Sequence, residues 1–186
     1  LDKSSASLMR VFAATSWRDR TAAIRLAEQW LTGSPRDAVV LRALADTQLN
    51  TGNFSGARRS YEALSSLGVR DPDALNNLAQ TLLRLKEAGA LQVAEQALAL
   101  APGAPHVLGT AAWAAFAVGQ NDRALQLLRE ARLRDPANTD TRFYLASVLA
   151  ATGRREDARA ELSAALASSS GLTYRAEAEE LMERLR

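Results

Sequence analysis

Residues 105–138 read PHVLGTAAWAAFAVGQNDRALQLLREARLRDPAN, and residues 139–172 read TDTRFYLASVLAATGRREDARAELSAALASSSGL. Laid one under the other, the two stretches share a frame of 34 positions. Ala111 and Ala112 answer to Leu145 and Ala146, Gly119 to Gly153, Ala124 to Ala158, Leu128 to Leu162 and Ala131 to Ala165, while Ser170 stands where Pro136 would be repeated. Leu108 opens the apolar pattern of the first copy. On both sides of each glycine the apolar residues recur at helical spacing, so each copy reads as helix, tight turn, helix.

The frame extends outward. Residues 38–71 carry Leu41, Leu44, Ala45, Gly52, Ala57, Tyr61 and Leu64, with the closing proline displaced to Pro72. Residues 72–104 start well (Leu75, Leu78, Ala79, Leu82) and end well (Ala90, Ala94, Ala97, Pro102), but are one residue short, and their turn reads Leu85-Lys86-Glu87-Ala88-Gly89. Residues 4–37 match only in their second half (Ala23, Ala27, Trp30, Pro35) and have Arg10-Val11 where a Leu-Ala pair is expected. The small residues Ala45, Ala79, Ala112 and Ala146 are spaced 34, 33 and 34 apart, and Pro102 and Pro136 are 34 apart. A chance Ala-rich bundle would not hold that phase. The spacing predicts helices over 5–16, 20–32, 38–51, 54–66, 72–85, 88–100, 105–118, 121–134, 139–152, 155–168 and 173–185, with residues 1–3 frayed.

Composition agrees. The chain has 38 Ala and 29 Leu among 186 residues, against 9 Val and Ile together, which favours helix over strand. Small residues let paired helices approach, and Leu108, Leu128, Phe116 and Tyr61 fill the space around the contacts. Gly153 sits where a helix ends in a left-handed cap, Pro102 and Pro136 stop the second helix of each unit, and Asp135-Pro136 and Asn121-Asp122 supply helix-end chemistry.

A two-helix unit with this period, a glycine turn, an alanine opening the second helix and a closing proline resembles the tetratricopeptide (TPR) repeat family along most of the chain. The resemblance implies an all-α, right-handed superhelical solenoid of about five repeats (4–37, 38–71, 72–104, 105–138, 139–172) with a C-terminal capping helix at 173–186, as one array over 1–186. Tyr174, Ala178, Leu181, Met182 and Leu185 form an apolar stripe on that last helix, and Glu177, Glu179, Glu180, Glu183 and Arg184 fill its other face. The family uses such arrays as protein-interaction scaffolds that hold a peptide or partner helix in a concave groove lined by the first helix of each repeat.

Carried over one repeat at a time, the groove positions fall on Arg42, Asp46 and Asn50, then Asn76, Asn77, Gln80 and Arg84. They continue with His106, Thr110, Trp113 and Phe116, and end with Asp140, Phe143, Tyr144 and Ser147. The expected peptide-binding residues are Arg42, Asn50, Asn76, Asn77, Gln80, Arg84, Thr110, Trp113, Phe143 and Tyr144. Amides suit backbone groups, Arg a carboxylate, and aromatics an apolar side chain. Asn76-Asn77 needs a reason, because adjacent amides are poor helix formers. Trp113, Phe116, Phe143 and Tyr144 serve equally well as core between repeats. Asp46 stands where carboxylate-clamp members of the family have Asn, and Lys is absent from the groove, which argues against an acidic C-terminal peptide.

The remaining chemistry is sparse. There is no Cys and one His, His106, so thiolate metal sites and Cys-His or Ser-His-Asp catalysis lack their parts. No catalytic residue, cofactor or metal is expected, and the chain is read as no enzyme. Lys3 and Lys86 are the two lysines among 23 basic residues, and 21 acids leave a net charge of +2. Alternation such as Arg129-Glu130 and Arg154-Arg155-Glu156-Asp157 describes salt-bridged helix surfaces, which disfavours nucleic acid as partner. No apolar run is long enough to cross a bilayer. The chain opens on Leu1 rather than Met and is read as a piece of a longer protein.

The Arg- and Ala-rich repeats also resemble those of bacterial exopolysaccharide and PEP-CTERM-system TPR lipoproteins. That resemblance implies a larger assembly or export system and a periplasmic or membrane-anchored parent, with the cytoplasm as the alternative. Rival functions are self-association, through an apolar face at Leu8, Val11 and Phe12, and nucleic-acid binding by Arg-lined helices. Gly153→Leu should cost on the order of 1 kcal/mol of stability or more, read from the denaturant midpoint, if Gly153 is left-handed.

Overall fold

The computed structural model describes residues 4–168 and 171–186. Among them are eleven helices and no strand: α1 (Ser5–Arg18), α2 (Arg20–Gly33), α3 (Ala38–Asn50), α4 (Phe54–Ser66), α5 (Pro72–Leu85), α6 (Ala90–Leu100), α7 (Pro105–Ala117), α8 (Asn121–Arg134), α9 (Thr139–Ala151), α10 (Arg155–Ala167) and α11 (Arg175–Arg184). Every expected helix is present, with ends within two residues of those predicted. Residues 1–3, expected to fray, and Ser170, expected at a closing-proline position, lie outside the described residues. The chain forms two compact units, one running to Val93 and the other spanning Ala94–Arg186, with the boundary inside α6.

Within each unit the helices pack as antiparallel pairs, α1 with α2 and α3 with α4 in the first, α7 with α8 and α9 with α10 in the second. The turn inside a pair has one design. Gly52, Gly119 and Gly153 take φ of 76°, 80° and 82°, the left-handed region where a Cβ is penalised. The glycine N–H donates to the carbonyl three residues back (Leu49, Phe116, Ala150). The next N–H, of Asn53, Gln120 or Arg154, donates to the carbonyl five back (Gln48, Ala115, Leu149) at 2.8–2.9 Å. These bonds satisfy the orphan carbonyls of the first helix and reverse the chain. Helix two then returns close enough that Ala45, Ala57, Ala112, Ala124, Ala146 and Ala158 are fully buried.

The third repeat keeps this turn without its glycine. Lys86 adopts φ 57°, its N–H reaches Leu83, and the Glu87 N–H reaches Leu82 at 2.9 Å. The missing residue therefore falls after the turn. Gly52 is five positions before Ala57, whereas Lys86 is four before Ala90.

Helix starts are capped in the same phase. Asp37, Asp71 and Asn138 accept N–H groups of α3, α5 and α9, while Ala104 at the matching place offers α7 none. One expected cap is corrected. The residue preceding α8 is Gln120, without a side-chain bond, and Asn121-Asp122 are the first helical residues, where the Asp122 charge faces the positive end of the helix dipole.

The first pair departs from the frame. Asp19 alone joins α1 to α2. Its N–H donates to Thr15 at 2.7 Å, and its carboxylate accepts the Ala22 N–H at 3.0 Å. The core residues Leu8 and Phe12 accordingly lie 32 positions before Val40 and Leu44, two fewer than the repeat. That slip explains Arg10-Val11 at the expected Leu-Ala pair. It also corrects the apolar face expected at Leu8, Val11 and Phe12: Leu8 and Phe12 are core, and only Val11 is exposed.

Asp37 fastens this pair to α3. Its Oδ2 accepts Ser5 Oγ–H at 2.6 Å and Trp30 Nε1–H at 2.9 Å, and its Oδ1 accepts the Val40 N–H. Burial alone would raise the Asp37 pKa, but these hydrogen bonds outweigh it and hold the carboxyl below its ordinary value.

Lys86→Gly removes the one strained side chain among the four equivalent turns. It should stabilise the chain by about 0.5–1 kcal/mol, read as a rise in the denaturant midpoint. A fall in the midpoint would contradict the turn described here.

Candidate functional site

In the first unit, α3 and α5 are neighbours and place their expected groove residues together. The centre is Asp46. Its Oδ2 accepts Arg42 Nε–H at 2.8 Å, and its Oδ1 accepts Tyr61 O–H at 2.5 Å and Asn77 Nδ2–H at 3.2 Å. The other arm of Arg42 bonds the Asp71 carboxylate, which also caps α5. One carboxylate thus ties α3, α4 and α5 and fixes Arg42 and Asn77, both half-buried, in single orientations.

Electrostatics follow the geometry. Burial would lower the Arg42 pKa, but the bond to Asp46 and the charges of Asp46 and Asp71 raise it above its ordinary value. Tyr61 is pushed strongly upward by burial and by the adjacent Asp46 carboxylate, so its hydroxyl stays a donor.

Other first-unit residues are placed differently. Asn76 is 2% exposed, its Nδ2 is 3.4 Å from Asn77 Oδ1, and its Oδ1 is buried without a partner. It is an interior amide, which corrects its placement on an open face. Gln80 and Arg84 are half-buried on α5, and the Arg84 guanidinium lies 5.8 Å over the Phe54 ring. Asn50 is exposed at the end of α3.

In the second unit the expected aromatics converge. Trp113 stacks on Tyr144, with ring centroids 4.7 Å apart, and lies 5.2 Å from Phe116 and 5.8 Å from Phe143. Tyr174, just before α11, stacks on Phe143 at 5.2 Å and meets Tyr144 edge-on at 5.3 Å. Phe143, Tyr144 and Thr110 are buried, while Trp113, Phe116 and Tyr174 remain half-exposed. Trp113 with Tyr144 and Phe143 with Tyr174 use ring faces on each other, while Trp113 and Phe116 keep part of their surface open.

The segment before α11 is fastened beside the cluster. Asp140 Oδ1 accepts the Thr173 N–H at 2.8 Å, Thr139 Oγ–H donates to the Gly171 carbonyl at 2.9 Å, and Leu172 is buried. Asp140 is thereby used inside the chain, and Ser147 Oγ–H is spent on the Phe143 carbonyl. His106 is exposed.

Sequence reasoning missed three participants. Tyr61 reads as core, and only the structure reveals its hydroxyl on Asp46. Asp71, not singled out in the sequence, caps α5 and also holds Arg42. Tyr174 reads as part of a capping stripe and joins the aromatic cluster instead. Among the described residues, no group of His, Asp or Glu could hold a metal ion, and no helix is long and apolar enough to cross a membrane.

Comparisons with known proteins agree with this architecture. Tetratricopeptide repeat profiles match residues 42–105, 85–136 and 115–185. The chain is 33% identical over 128 residues to cellulose synthase operon protein C of Pseudomonas fluorescens (strain SBW25). That alignment covers 67% of this chain and 10% of the relative, so the chain spans about a tenth of the relative's length. Among solved structures it is similar to PilW, a type IV pilus biogenesis factor, at 16% identity and TM-score 0.76, covering all of this chain and 91% of that one. It is also similar to YrrB, described as a TPR protein with an unusual peptide-binding site, at 16% identity and TM-score 0.71, covering 93% and 90%. At those identities the structures speak for the fold, and the profile matches for descent: the chain belongs to the tetratricopeptide repeat family.

Proposed function

We propose that the chain is a protein-interaction scaffold that docks an extended peptide or a partner helix on the first-helix faces of its repeats. The observation that carries this reading is the pair of side chains, Arg42 and Asn77, held half-exposed on neighbouring helices by one shared carboxylate. Side chains already locked in one rotamer lose little entropy on binding, so a polar row of this kind suits a peptide's amides and carboxylates. Gln80 and Arg84 extend the row on α5, and the half-exposed rings of Trp113 and Phe116 suit an apolar side chain in the second unit.

The relative in a cellulose synthase operon supports a place in a bacterial exopolysaccharide assembly, and a periplasmic or membrane-anchored parent is what the resemblance to exopolysaccharide-system repeat lipoproteins implies. Nucleic acid gains little support. Arg58, Arg123, Arg132, Arg134, Arg142 and Arg154 are spent on carboxylates of the chain itself.

The test is capture. Immobilised chain is exposed to periplasmic extract of an exopolysaccharide-producing bacterium, beside a variant with Asn77, Gln80 and Arg84 all changed to Ala. Asn76 is left intact, because truncating a buried amide would disturb packing. The expected result is a partner held by the parent chain and lost by the variant, with unchanged helicity. Retention by the variant would place binding elsewhere.

A further inference from the structure

The departure of the first helix pair from the repeat has a consequence at its open end. At the start of α1, Ser5 is bonded to Asp37 and so pinned to the start of α3. Toward the far end the one-residue turn holds α1 out of the repeat's register. Ala13, the counterpart of Ala45 in the slipped alignment, is exposed where Ala45 is fully buried. A cleft of about 560 Å³ opens there, between the last turns of α1 and α3 and the start of α2. Its apolar wall is Met9, Phe12, Ala13 and Trp17. Trp17 is 91% exposed, an unusual state for the largest apolar side chain.

The rim is polar, and three of its groups are unspent. Arg20, Ser16 and Asn50 line the cleft, and their side chains make no bond or ion pair among the described residues. Thr47, the fourth polar lining residue, donates to the Ala43 carbonyl. Arg10 and Arg18 on α1 likewise have no ion-pair partner among the described residues. Residues 4–37 hold five Arg against three acids, and two of those acids, Asp19 and Asp37, are occupied as caps. An apolar wall beside one unpaired cation, Arg20, and a free amide selects by charge as well as by shape.

We infer that this cleft is a second peptide site, which takes a bulky apolar side chain flanked by Asp or Glu in an extended segment of a partner protein. The apolar side chain lies against Phe12 and Trp17. The flanking carboxylate pairs with Arg20, and the Asn50 amide bonds the peptide backbone. The site extends the peptide-binding reading, but shares with the α5 row none of the residues changed there.

The test uses fluorescein-labelled, acetylated and amidated octapeptides with a central Phe, flanked by Asp, Asn or Lys, and follows polarisation as the chain is added. The Asp peptide should bind about tenfold more tightly than the Asn peptide, and the Lys peptide more weakly still. Arg20→Glu should reverse that order. It adds an acid in the first turn of α2, where the dipole favours it, so folding is retained and circular dichroism should be unchanged. The variant lacking Asn77, Gln80 and Arg84 should bind the Asp peptide as the parent chain does, which separates this site from the α5 row. Equal binding of the three peptides, or no binding up to about millimolar chain, a weak-affinity limit, would overturn the inference. So would indifference to Arg20→Glu, or a dimer in light scattering that shields Trp17 from iodide quenching.

Discussion

The rest of the structure depends on one backbone constraint, a single residue in the left-handed region between the two helices of a repeat. With that residue in place, two N–H groups close onto the carbonyls of the first helix and the second helix returns at a fixed angle. Only then can Ala45 and Ala57, or Ala112 and Ala124, meet with no exposure. Small residues at the contact and large ones around it follow from that approach. Lys86 shows that the geometry takes precedence over residue type, because a lysine is held in a conformation that costs it energy and the turn is retained.

The same constraint separates what was legible in the sequence from what was not. Glycine and alanine in fixed phase gave away the helices, their ends and the turns, since backbone conformation and close approach restrict which residues can stand there. The helices of the first pair were legible, but the apolar face of the first was misread because the frame slips by two at Asp19, and a slip without glycine leaves no mark in composition. The site was legible as a set of positions and illegible as a set of environments. Arg42 and Asn77 were placed on neighbouring faces, but their dependence on Asp46 and Tyr61 is a matter of side-chain geometry. Asn76 and Asn77 look alike in the sequence, yet helical rotation buries one and leaves the other half-exposed.

Chemically, the two units use their first-helix faces in different ways. In the first, charge and amides are organised around a carboxylate. In the second, five aromatic rings pack on one another, and the segment before the last helix is bonded beside them through Asp140 and Thr139. Both arrangements fix side chains before any partner arrives, which is what a binding scaffold requires.

Native-state hydrogen exchange at the four turn-closing amides, those of Asn53, Glu87, Gln120 and Arg154, tests the central claim most directly. If one left-handed turn organises every repeat from the second onward, all four should be protected, Glu87 included, although its repeat lacks the glycine and one residue. Free exchange at Glu87 beside protection at the other three would contradict the account.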